Sequence, residues 1–284
     1  FCRPDTIDTP IIFNNSISGM KKLILTGALA LLSLGAFAQN VQLHYDFGHN
    51  MYKGKDGKDL RSRGYLTTTV EMFKPDSWGS TYFFVDMDYM SNSKAEGATK
   101  TAGVLGAYWE ISRELCFWQN TKMDWLSLHV EYNGGLTNKM SFNNSWLAGL
   151  TYSGHSKDFS KTWSISAMYK LIPGTVDGAG KKQVHNFQLT GVWGINFAHG
   201  WCTFSGFVDF WREHRPWQGK LNEAGVPTGT QFIALSEPQF WVNLNQIKGM
   251  EKVNLSLGGE VELSYNFAGT GFYCVPTLAA KWSF

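Results

Sequence analysis

The segment Tyr82-Phe83-Phe84-Val85-Asp86-Met87-Asp88 carries two kinds of side chain on two sides of one extended stretch. Successive side chains of a strand point to opposite faces, so Phe83, Val85 and Met87 share one side and Tyr82, Phe84, Asp86 and Asp88 the other. Carried through the other alternating runs, the same parity collects Asp46, Glu71, Glu110, Glu131, Asp209, Glu260 and Glu262 on the polar side. Lys170, Lys281, His44 and His129 fall there too, as do Phe73, Tyr108, Phe207 and Trp211. An aromatic face beside hydrogen-bonding carboxylates suits a flat base with an attached sugar. Against this stands a plainer role, because interior charges and aromatics of a closed sheet often only stabilise the fold.

Catalysis finds less support. Ser153-Gly154-His155-Ser156 is a tight Ser and His cluster, but it falls in a turn and not on a strand face. The 7 histidines are scattered, with no His-x-x-x-His or Cys-x-x-Cys spacing. The expectation is therefore a non-enzyme, with no catalytic residues, no metal and no cofactor. Cys116, Cys202 and Cys274 form an odd set that defines no disulfide framework.

These side chains need a scaffold that keeps one face wet and the other apolar. Aromatic residues make up 15% of the chain and charged residues 17%, against about 25% charged in an ordinary soluble domain. Yet no stretch after residue 38 runs apolar for the roughly 18 residues a spanning helix needs. A membrane chain without such helices must close its strands into a barrel, since every backbone amide in lipid needs an internal partner. A net charge of +2 with no cluster of Lys or Arg argues against nucleic acid as a partner.

Period-two runs lie near 41–49, 65–73, 79–90, 102–114, 125–133, 145–153, 162–172, 186–197, 201–213, 230–242, 253–264 and 272–284. Each has about the 9 to 11 residues of a tilted spanning strand. The fold class is accordingly all-β, a transmembrane antiparallel barrel of twelve strands over residues 39–284. A soluble β-sandwich also alternates, but it charges its outer face more heavily. The expected outer loops 50–64, 91–101, 173–183 and 214–229 are long and polar, and the inner turns at 74–78 and 199–200 are short. Two inner connections, 116–124 and 243–252, exceed what the rule prefers. Trp78, Trp118, Trp125, Trp163, Trp201 and Trp282 fall near strand ends, the level that indole rings favour.

Met20 opens a secretory leader: Lys21 and Lys22 are its basic start, Leu23 to Leu34 its apolar run, and Ala36-Phe37-Ala38 its cleavage pattern. Residues 1–19 read as upstream sequence, 20–38 as the signal peptide. The expected destination is the outer membrane of a Gram-negative cell, and the expected transport is passive diffusion. The final strand ends in Trp282 and Phe284 and is similar to the C-terminal signal by which outer-membrane barrels are recognised, which implies the barrel-assembly machinery as a partner beside lipid.

Glu71-Met72-Phe73 with Asp76, Trp78 and Tyr82 to Asp86 resembles the second and third strands of the Tsx-like nucleoside-specific outer-membrane channels. Trp109-Glu110-Ile111-Ser112-Arg113 is similar to the strand that follows in that family, and Gly200-Trp201 to Trp211, with Phe207 and Asp209, to a later one. The resemblance covers about a quarter of the exported chain. It implies a narrow twelve-stranded barrel that passes nucleosides. The candidate lumen site is Glu71, Phe73, Asp86, Asp88, Tyr108, Glu110, Asp209, Trp211, Glu260 and Glu262. Arg113 matches the family run but falls on the lipid parity at a strand end. The rival readings are a pore-less structural or adhesion barrel and, further off, an outer-membrane lipid hydrolase.

Overall fold

The computed structural model describes residues 38–55, 60, 66–89, 103–137, 144–177 and 179–284. The segment 1–19 and the expected signal peptide 20–38, apart from its last residue Ala38, which opens β1, lie outside them, as do part of the expected loop 50–64 and all of 91–101. The strands are β1 (Ala38–Asp46), β2 (Leu66–Asp76), β3 (Gly79–Tyr89), β4 (Val104–Leu115), β5 (Leu126–Thr137), β6 (Ser145–His155) and β7 (Lys161–Leu171). They continue with β8 (His185–Phe197), β9 (Cys202–Arg215), β10 (Thr230–Ser236), β11 (Gln239–Asn243), β12 (Leu255–Tyr265) and β13 (Phe272–Ser283). All pairings are antiparallel, and β1 pairs with β13 from Asn40↔Ser283 to Asp46↔Thr277, which closes the sheet.

β10 and β11 are two halves of one barrel strand. Ser236 faces Val208 and Leu263, and Gln239 faces Ser205 and Glu260, so the register advances three residues on every strand and stays unbroken. The gap falls at Glu237-Pro238 because proline has no N–H to give the ladder. The wall is still stitched there: Glu237 N–H donates to Phe207 O at 3.1 Å, and Val261 N–H to Pro238 O at 3.0 Å. Gly206 makes room for this passage. Its φ is +152°, and a Cβ would lie 2.5 Å from Glu237 O and 2.9 Å from the Trp193 ring, a conformation and a contact that a side chain tolerates poorly. The barrel thus has the expected twelve strands.

Alternation sets the two faces. Ile111, Val130, Leu150, Ile165, Leu189, Leu257 and Leu278 stand outward, whereas Gln42, His44, Asn133, Thr151, Ser166, Gln188 and Ser264 are buried inside. An apolar exterior and a polar lumen are the arrangement a spanning barrel requires, because lipid solvates only the former.

The first strand differs from expectation. It runs over 38–46 and not 41–49, since the next partner along β13 is Pro276, which cannot donate to it. The chain turns instead into a short 3₁₀ segment, Gly48–Tyr52. Tyr52 then takes over the bare edge of β13: Cys274 N–H donates to its hydroxyl at 2.8 Å, and that hydroxyl faces Cys274 O at 3.4 Å. Tyr52, Leu60, Tyr273 and Val275 form a small apolar cluster at the outer mouth, with Ala268 against it.

At the inner rim, Arg113 finds the role that its lipid-side parity left open. It grips Asp76 with both terminal nitrogens, at 2.5 and 2.7 Å, and reaches Thr81 at 3.0 Å. Asp76 also accepts from Trp78 N–H at 2.8 Å, so the bidentate pair fixes the β2–β3 turn. In the β6–β7 turn, the Ser156 and Ser160 hydroxyls and the Ser160 amide hold the Asp158 carboxyl down, at about 2. Trp78, Trp125, Trp163, Trp201 and Trp282 are all exposed along this rim.

Candidate functional site

Register places the acid and aromatic residues of β2, β3 and β4 as a checkerboard on the inner wall. Glu71, Phe84 and Glu110 lie in one row across the three strands, and Thr69, Asp86 and Tyr108 in the next. The Tyr82 and Phe84 rings lie 6.1 Å apart, and Phe84 and Tyr108 5.9 Å apart. Phe73 pairs across to Tyr82, one row nearer the inner rim, and Asp88 pairs with Thr67 on the opposite side.

The three carboxylates expected to converge are neighbours, but they are not equivalent. Glu71 takes three donors, on both oxygens: Oε2 accepts from Asn40 at 2.7 Å and Gln42 at 2.9 Å, and Oε1 from the Tyr82 hydroxyl at 3.0 Å. Gln42 passes the network on to His44 at 2.9 Å, and His44 to Thr277 at 3.1 Å. Among the described residues Asp86 accepts from Thr69 at 2.5 Å and Glu110 from Tyr108 at 2.5 Å, each through one oxygen, which leaves both a second acceptor. Asp88 accepts from Thr67 at 2.6 Å.

The facing wall holds the remaining candidates. Glu260 accepts from Gln239 at 2.8 Å, Gln239 accepts from the Trp241 indole at 3.1 Å, and the Lys281 ammonium lies 4.2 Å over that indole ring. Glu262 accepts from Ser264 at 3.0 Å. Asp209 accepts from Thr190 at 2.5 Å, while the Trp211 indole donates to Glu213 at 3.0 Å and carries Lys170 over its face at 4.9 Å. The lumen therefore divides. Glu71, Asp86, Glu260 and Glu262 are mutual electrostatic neighbours on one side. Glu110 shares the other with Asp209, Glu131 and Lys170. Among the described residues no group of three or more His, Cys, Asp or Glu has an arrangement that holds a metal ion.

With this geometry in view, comparison with known proteins is informative at one level. A family model described as Domain of unknown function (DUF5020) matches residues 38–284. The chain belongs to this family. No curated protein matches it. Among solved structures, the chain is similar to the NanC porin at 9% identity and a TM-score of 0.49, covering 87% of this chain and 100% of that one. It is similar to the KdgM porin at 10% identity and 0.44, covering 87% and 99%. LpxR from Salmonella typhimurium matches at 9% identity and 0.44, covering 87% and 100%.

Two inward residues of this DUF5020 chain, Glu114 and Trp241, escaped the sequence reading. Glu114 accepts from His129 at 2.6 Å and Thr151 at 3.0 Å, and also from Ser127, and His129 bridges on to Glu131 at 3.0 Å. Its signal was present, since Glu114 shares strand parity with Glu110 four residues earlier. Trp241, with no exposed surface, sits on the inner face beside His44, with ring centroids 6.1 Å apart. The Ser153–Ser156 cluster lies at the end of β6 and its turn, where His155 stacks on Phe159 at 4.0 Å and its Nδ1 faces Ser156 O at 2.8 Å.

Proposed function

We propose that this protein is an outer-membrane channel for passive diffusion of small polar solutes, with nucleosides the class that the β2–β4 wall suits. The observation that carries the reading is the checkerboard itself: Tyr82, Phe84 and Tyr108 offer ring faces, and Asp86 and Glu110 each hold one acceptor oxygen beside them. Bases stack on such faces, and sugar hydroxyls donate to such acceptors. The resemblance of this same stretch to Tsx-like channels supports the choice of nucleosides. Glu71 serves as a positioning group, holding Tyr82 in place through its hydroxyl.

Conductance of the purified chain in planar bilayers, with a panel of nucleosides as blockers, tests this. Discrete conductance that nucleosides reduce in a saturable way is the expected result; conductance indifferent to them leaves an unspecific pore. A second reading, a pore-less structural or adhesion barrel, is favoured by the apolar cluster of Tyr52, Leu60, Tyr273 and Val275 at the outer mouth. An absence of any conductance from correctly folded protein decides for it.

A further inference from the structure

The half of the lumen between β4 and β9 holds more negative charge than its own residues balance. Glu110, Glu131 and Asp209 lie within Coulomb range of one another, with Glu213 beside Lys170 and Glu114 beside Glu131, and against these five carboxyl groups stand the Lys170 ammonium and the His129 imidazole that bridges Glu114 and Glu131. Among the described residues, the Lys170 hydrogen bond goes to Gln188 at 2.6 Å and not to a carboxylate. Two acceptors in this place are also without a donor among the described residues. Glu131, whose side chain is 9% exposed, gives Oε2 to His129, while its buried Oε1 meets no donor. Asn133, 3% exposed, has its Oδ1 equally bare. Asn133 pairs directly with Glu110 across β4 and β5, and Glu131 sits two residues along on the same inner face, so both bare oxygens flank Glu110.

Buried acceptors without donors and ionised carboxylates without counter-charge are each unfavourable, and one ligand can relieve both. We propose that this cluster binds the protonated primary amine of a small solute, whose N–H groups meet Glu131 Oε1 and Asn133 Oδ1 and whose charge is balanced by Glu110 and Asp209. An inorganic divalent ion fits less well, because no three carboxylates or imidazoles here converge with metal geometry among the described residues. An alkylammonium fits better on two counts. Leu147, 3% exposed, lies in the same row between Glu131 and Lys170 and offers a surface to an alkyl stem. Lys170 is itself an alkylammonium held in this space, over the Trp211 ring at 4.9 Å. The proposal shares only Glu110 with the nucleoside wall and does not depend on it.

The test is calorimetric titration of the full chain, folded in detergent at pH 7, with n-butylammonium chloride and with 1-butanol. Because binding is read without any current, the result is independent of whether the pore conducts or nucleosides block it. The expected outcome is saturable binding of the amine and none of the alcohol. Glu131→Gln and Asp209→Asn should each weaken it about tenfold, as loss of a charge-assisted contact does. Lys170→Met should tighten it severalfold, because it removes the competing ammonium while leaving the carboxylates. Heat-modifiable migration verifies that each variant is a closed barrel. Absence of amine binding by the folded wild type, equal binding of 1-butanol, or a folded Lys170→Met that binds more weakly would overturn the proposal.

Discussion

Exchanging Glu110 for Gln separates a solute-binding carboxylate from a structural one. The carboxylate takes one hydrogen bond from Tyr108 at 2.5 Å, and glutamine can keep that bond through its carbonyl oxygen. The substitution leaves the shape of the site intact and turns the second oxygen into an N–H donor. A solute hydroxyl bound to an ionised acceptor contributes about 1.5–3 kcal/mol, against about 0.5–1.5 for a neutral one. The expected loss is therefore about 1–2 kcal/mol, or roughly five- to thirtyfold in the blocking constant. The exchange keeps the size of the side chain and its bond from Tyr108, so barrel stability should hold. The assay is nucleoside titration of the current in planar bilayers, run beside heat-modifiable migration of the same preparation. Ile111→Val, on the lipid face of the same strand, is the control and should leave block unchanged. If Glu110→Gln blocks like the wild type, or loses block only by failing to form the barrel, the solute-binding role of this wall is refuted.

Glu71→Leu should behave in the opposite way, lowering stability by about 2–4 kcal/mol, because it strips the acceptor from Asn40, Gln42 and Tyr82 together. Urea unfolding in detergent measures this, and a neutral or stabilised variant shows that repulsion from Asp86 and Glu260 outweighs the three donors. Gly206→Ala should cost about 2–4 kcal/mol, from its positive φ and the contact with Glu237 O. Gly103→Ala, where a Cβ meets nothing within 4 Å, should change the same unfolding curve little, and equal effects at the two sites contradict the crossing described at Pro238. For Asp158, the folded carboxyl titrates at about 2 against an ordinary value of 3.8, so its ionised bonds support the turn fully above the ordinary value and are lost as pH falls through 2. The Ser160 amide resonance should follow that lower midpoint, and a midpoint near 4 would show that the hydroxyls of Ser156 and Ser160 do not hold the charge.

Much of this arrangement was legible because a strand's faces are set locally. Parity alone put Asp86, Glu110, Asp209 and Glu260 inside, and each of them accepts a hydrogen bond from an inward neighbour. What parity cannot convey is pairing between distant strands. That Glu71 takes donors on both oxygens follows from the alignment of β1 with β2, which brings Asn40 opposite it, and of β2 with β3, which brings Tyr82 near. β1 ends early because of Pro276, about 230 residues away along the chain. The proximity of Glu110 to Asp209 is a property of the whole barrel section, since these residues sit on β4 and β9. Arg113 stands where parity put it, on the lipid side at a strand end, but its role was not legible for a related reason: a charge there is costly in mid-strand, and only the alignment of β2 with β3 and β4 brings Asp76 within its reach at the rim.

The exposed indoles of Trp78, Trp125, Trp163, Trp201 and Trp282 ring the same end at which Arg113 pins the β2–β3 turn and the chain finishes at Phe284. Rings of this kind resist being moved either into the hydrocarbon or out into water. Tyr45, Trp146, Tyr169, Tyr265 and Phe272 stand exposed at the other end of the strands, so the barrel is moored at both edges. In a thinner or thicker bilayer the adjustment, a fraction of a kcal/mol for each ångström of mismatch, falls on the lipid and on the tilt of the barrel between the two belts. The spacing of those belts then sets the membrane thickness in which the barrel stands without strain.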